Sequence, residues 1–225
     1  MRKFTPYTLI EIMVVMALAA VLVTLALPAF SALMRGNSVG ITCGMIKNTM
    51  DQAQARAITD RKYVATVFDL TGDVSGLRDT QAMRNCYVTR NGAGNYDFRS
   101  WVEDSQWVKL DQEAQILITN NGGAGTQPPF PTSGTPSING LATVGSCRDA
   151  NTHDLSAVVF SSFGRIVAPN VNVYFGVGEA TIVGGNYLFK NTASAGSSGN
   201  VMAVTVNHFT GRTQIATINE GGKIE

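Results

Sequence analysis

The sequence predicts an α+β chain: a long N-terminal helix, with a transmembrane half and an amphipathic half, packed on a C-terminal antiparallel β-rich domain. Three observations carry this expectation. Residues 7–30, YTLIEIMVVMALAAVLVTLALPAF, are almost wholly apolar. Residues 45–60 return apolar side chains at helical spacing. Beyond Asp60, short β-branched and aromatic runs alternate with stretches rich in Gly, Asn, Ser and Thr. The boundaries follow as 1–6, 7–30, 31–60 and 61–225, with a long loop over 120–154 in the last part.

From Ile12 to Phe30 there is no charge. A helix of about 20 such residues crosses the ~30 Å hydrocarbon core of a bilayer. Arg2 and Lys3 precede the run, and Arg35 is the next positive charge. Positive charge at the start favours a cytoplasmic N-terminus, a single membrane pass and an exported C-terminal domain. Glu11 is the awkward residue. An ionised carboxylate in hydrocarbon costs at least ~2.5 kcal/mol, so it must lie at an interface, be neutral or meet a positive partner. Pro28 stands inside the helical pattern, removes one hydrogen bond and predicts a kink.

Gly36, Gly40 and Gly44 are four apart. They form either a small-residue face for close helix approach or a break between two helices. In the stem that follows, Ile46, Met50, Ala53 and Ala57 make the apolar stripe, and Lys47, Asp51, Gln52, Gln54 and Arg56 lie largely off it. Strand candidates are 63–68, 86–89, 101–110, 115–119, 155–161, 165–167, 171–175, 180–183, 187–189, 201–207 and 213–219. Residues 70–76 read as a turn. Residues 157–167 and 203–215 echo one another as strand, Gly-Arg turn, strand.

Bulk composition bounds the function. The chain has 225 residues, 44% hydrophobic and 15% charged, with net charge +1. That balance offers no electrostatic case for nucleic acid. No G-x-S-x-G, P-loop or H-E-x-x-H is present, and neither cofactor nor metal is expected. His153, His208, Ser161 and Ser162 are the sparse material for a hydrolytic site, and surface histidines are the ordinary reading. Asp69-Leu-Thr-Gly-Asp73 reads as a turn before a calcium loop. Tyr96, Phe98, Trp101 and Trp107 alternate into a core or form a partner patch. Cys43, Cys86 and Cys147 lack metal-like spacing. With Cys43 in the stem helix, Cys86 and Cys147 are the candidate disulfide, simple burial being the alternative.

The segment Tyr7-Thr8-Leu9-Ile10-Glu11-Ile12-Met13-Val14-Val15, with its basic start and with Pro28 downstream, resembles type IV pilins and type II secretion pseudopilins. The resemblance implies a leader over 1–6, a prepilin-peptidase cut between Pro6 and Tyr7, and N-methylation of Tyr7. It also implies a filament whose subunits pack by this helix, Glu11 setting axial register against a neighbour's amine. The departure is Pro6, where the family carries glycine. Residues 52–64, QAQARAITDRKYV, with the two Gly-Arg hairpins, resemble GspH/FimT-type minor pseudopilins. The implied role is a structural assembly subunit, not an enzyme. Its partners would be other pilin or pseudopilin subunits, prepilin peptidase, the inner membrane and exported cargo. A major pilin, or a signal-anchored extracytoplasmic binding domain or enzyme, is the alternative.

Overall fold

A computed structural model describes residues 9–70, 81–91, 95–111, 113–121, 137–138, 141–148, 152–183, 186–189 and 201–217. The chain divides into two compact units, Met1–Asn37 and Ser38–Glu225. One helix, α1 (Leu9–Asp60), runs unbroken through Pro28 and the Gly36–Gly44 series. A Cβ added at Gly44 would meet nothing within 4 Å, so no backbone packs closely there in this chain. Two threonines within α1 are satisfied locally: Thr24 donates to the Val21 carbonyl and Thr49 to that of Met45. The helix ends where Arg61 adopts the left-handed conformation (φ 52°) of a C-terminal cap.

The expected fold class and location need correction. No helix among the described residues is long and apolar enough to cross a membrane, so α1 does not provide the transmembrane half or the single-pass inner-membrane anchor. The β region also departs from the expected antiparallel domain, since it closes a barrel and contains parallel pairings. Strands β1 (Tyr63–Asp69), β2 (Ala82–Arg90), β3 (Tyr96–Trp101), β7 (Ala142–Arg148) and β8 (Thr152–Phe160) pair in that order, and β8 pairs back to β1. That closes a five-stranded barrel, in which β3 and β7 run parallel. The remaining strands of this sheet are β4 (Val108–Lys109), on β2, and β9 (Ile166–Ala168), on β8.

A second sheet has the order β13 (Thr213–Thr217), β12 (Val201–Val206), β10 (Val173–Val183), β5 (Ala114–Asn121), β6 (Ser137–Ile138), with β11 (Asn186–Phe189) also on β10. The β5–β6 pairing is parallel. The stretch read as a long loop over 120–154 therefore contains β6, β7 and the start of β8. The separate runs 171–175 and 180–183 belong to the single strand β10. The run 101–110 breaks after Trp101 at a corner where Asp104 has φ 62°. Residues 71–76 of the expected turn lie outside the described residues.

Strand alternation sorts two cores. Ala65 and Val67, Cys86 and Val88, Tyr96, Val144, Cys147, Leu155, Ala157 and Val159 fill the barrel interior. Val64 and Phe68, Met83, Val158 and Phe160 face outward from the barrel into a second core. There they meet α1 and the inner face of the second sheet, including Ile116, Phe175 and Val204. The helix contributes Val39, Cys43, Ile46, Met50, Ala53 and Ala57, all 0% exposed. Burying each large side chain of this stripe is worth ~1.5–3 kcal/mol.

Three buried or half-buried amides join these layers. Asn85 on β2 accepts from the Thr66 hydroxyl and donates to the Thr49 carbonyl of α1 (2.9 and 3.1 Å). Gln81 donates to the Ile116 carbonyl and accepts from the Ile116 N–H, tying the barrel to β5 (3.0 and 2.6 Å). Gln54 of α1 donates to the carbonyls of Gly164 and Thr210 (2.8 and 2.7 Å). The last bond pair positions the most exposed aromatic side chains among the described residues.

Candidate assembly surface

From Leu9 to Val23, every large apolar side chain of α1 is 51–78% exposed. A helix that is apolar all round is buried in its working state, against protein or lipid. Glu11 stands in its first turn, where the helix dipole favours negative charge. Pro6 and Tyr7, the expected processing pair, lie outside the described residues. Pro28 lies within α1, and nothing is described of its side chain.

A second apolar surface belongs to the unit Ser38–Glu225. The two Gly-Arg turns seen in the sequence are both hairpin connections. In the first, Ser161 N–H donates to Arg165 and Gly164 N–H to Ser161. In the second, Asn207 N–H donates to Arg212 and Gly211 N–H to Asn207. Gly164 (φ 77°) and Gly211 (φ 66°) supply the left-handed residue that closes each loop. The turns touch: a Cβ on Gly211 would lie 1.9 Å from the Gly164 carbonyl oxygen. Ile166 N–H also donates to the His208 carbonyl. Phe163 and Phe209, one in each turn, are 86% and 79% exposed, and Ile58 of α1, close against Gly164, is 50% exposed.

The candidate catalytic groups are held by structure. Ser161 is buried, and its hydroxyl bonds the Arg165 carbonyl and accepts from Phe163 N–H, which shapes the turn. His208 contacts Asn170 Oδ1 through Nε2 (2.6 Å) and stacks edge-on against Phe209. His153 lies on β8 opposite Cys147, away from the Ser161 turn. No group of three or more metal-ligating side chains occurs among the described residues.

The aromatic residues form a packed series. Tyr96 is inside the barrel, edge-on to Tyr63, while Phe98, Trp101 and Trp107 stack in sequence with the Arg84 guanidinium 4.1 Å over Trp101. All three cysteines are buried free thiols. Burial pushes the Cys43 thiol up to about 12 and holds that of Cys86 well above its ordinary range. Cys86 and Cys147 share the barrel interior, where the Cys147 thiol points at the Val144 carbonyl.

Sequence reasoning missed Gln54 and the exposure of the two phenylalanines. The echo of the two turns stood in the sequence, but nothing local in it placed them side by side against Gln54.

No family model and no curated protein matches the chain. Among solved structures, the minor pseudopilin EpsH from the Type 2 Secretion System of Vibrio cholerae is similar, with a TM-score of 0.43 and 13% sequence identity. The match covers 79% of this chain and 94% of that one. A likeness at this level carries no functional argument, which rests on the residues above.

Proposed function

We propose that the chain is a minor pseudopilin, a structural subunit that enters a type II secretion pseudopilus or type IV pilus-like filament by packing its N-terminal helix against those of its neighbours. The observation that carries this reading is the exposed, all-round apolar surface of α1 from Leu9 to Val23, interrupted by Glu11 alone. Each Å² of apolar surface covered by a neighbouring helix is worth ~25 cal/mol, so a bundle of such helices is the natural resting state. Glu11 gives that bundle its register. A carboxylate enclosed among apolar helices is stable only opposite a cation, and a neighbour's N-terminal amine is the group the T-L-I-E resemblance supplies. The role is structural, and no catalytic step is assigned. The domain beyond Asp60 would face other subunits or exported cargo.

The test is incorporation. Glu11→Ala should fold as the native chain does but enter sheared filaments about tenfold less well, the equivalent of ~1.4 kcal/mol at each contact. Native-level incorporation of Glu11→Ala would remove the register argument.

A further inference from the structure

The second sheet ends on β13, whose only strand partner among the described residues is β12. The hairpin fixes which backbone groups face outward. Asn207 N–H donates to the Arg212 carbonyl, so 207 and 212 form a hydrogen-bonded pair. The register runs without a shift from there, Val206 opposite Thr213 and Val204 opposite Ile215. Antiparallel pairs alternate, so Gln214 and Ala216 bond β12, while Thr213, Ile215 and Thr217 turn their N–H and C=O groups to the open edge. Such an edge is a template for another strand.

A groove of about 640 Å³ lies along this edge, between β13 and the Lys47–Asp51 turn of α1. That is within the ~300–1,000 Å³ range of ligand sites. Two features show what it would take. Thr213 lines the groove with its backbone, and its hydroxyl is buried without a hydrogen-bond partner among the described residues. Lys47 is paired with Asp51, whereas the exposed guanidinium of Arg212 has no ion pair among the described residues. The groove thus presents the Arg212 guanidinium, without an ion pair among the described residues, beside the outward-facing backbone groups of Thr213 and Ile215.

We propose that β13 is a docking edge for an extended acidic segment of another protein. The segment adds as a strand to Thr213, Ile215 and Thr217 and sets a carboxylate against Arg212. Strand addition supplies affinity through main-chain bonds, and the charge at one end selects the segment. This inference lies within Ser38–Glu225 and is independent of how the N-terminal helix assembles.

The test uses the full chain and two blocked peptides of alternating Thr and Val, one with a central Glu and one with Lys in its place. Hydrogen exchange read by mass spectrometry should slow across β13 on adding the Glu peptide, which should bind about tenfold more tightly than the Lys peptide. Ile215→Pro removes an outward N–H and leaves the bonds to β12 intact, so binding should fall about tenfold or more at unchanged thermal stability. Arg212→Glu should reverse the peptide preference, and this holds as a test even where the proline variant does not fold. No protection of β13, or an unchanged preference in Arg212→Glu, would overturn the proposal. So would concentration-dependent dimerisation that Ile215→Pro abolishes, because the occupant would then be a second copy of this chain.

Discussion

Gly211 is the most constrained position described. Its φ of 66° suits glycine, and a Cβ there would run into the Gly164 carbonyl oxygen and the Gln54 amide at once. Backbone blocks the way, so side-chain adjustment offers no relief. Gly211→Ala should cost at least ~2 kcal/mol in urea unfolding. Gly44 is its counterpart, mid-helix with open space around it. Gly44→Ala should stabilise by ~0.5–1 kcal/mol in the same measurement, and equal effects at the two sites would refute the turn-against-turn packing. Tyr87 offers a pH test. Its phenol donates to the Asp60 carboxylate, and that bond, with burial, holds it above its ordinary range. A tyrosine whose folded-state value is raised stabilises the fold below its unfolded value of ~10 and loses that contribution as pH climbs past it. The stability gap between the native chain and Tyr87→Phe should therefore close above about pH 10, as followed by denaturant titration.

At the scale of elements, Gln81 acts as a one-residue strand between barrel and second sheet. It is 0% exposed and satisfies both backbone groups of Ile116. Gln81→Ala leaves both groups of Ile116 unpaired in the core, a loss of ~2–4 kcal/mol, and should speed hydrogen exchange in β5 before β1. Elements with a clean period were legible. The stem stripe Ile46, Met50, Ala53, Ala57 is buried at the positions its spacing gives, and β1 follows its β-branched run. Elements with glycine were not. In β7 the register slips between Val144 and Cys147, and Gly145 stands where a Cβ would reach the Asp154 carboxylate (3.4 Å), so ATVGSCR shows no alternation. In β10, Gly178 looks like a turn in sequence, yet its missing side chain makes room for Leu117, whose Cδ1 would lie 2.7 Å from a Cβ.

At the scale of the whole molecule, barrel closure was illegible for a topological reason. The pairing of β1 with β8 joins segments about 90 residues apart, and nothing local in either strand names its partner. The expected inner-membrane anchor is not borne out, since no helix among the described residues is long and apolar enough to cross a membrane. The candidate assembly surface was legible, since both the apolar run and its one carboxylate stand in the sequence. The exposed phenylalanines and the β13 edge were not, because exposure is a property of tertiary packing. The measurement that bears most directly on the pseudopilin reading is the intact mass of the chain expressed with and without prepilin peptidase. A processed pseudopilin would lose Met1–Pro6 to the peptidase and begin at Tyr7. An unchanged mass would contradict that reading.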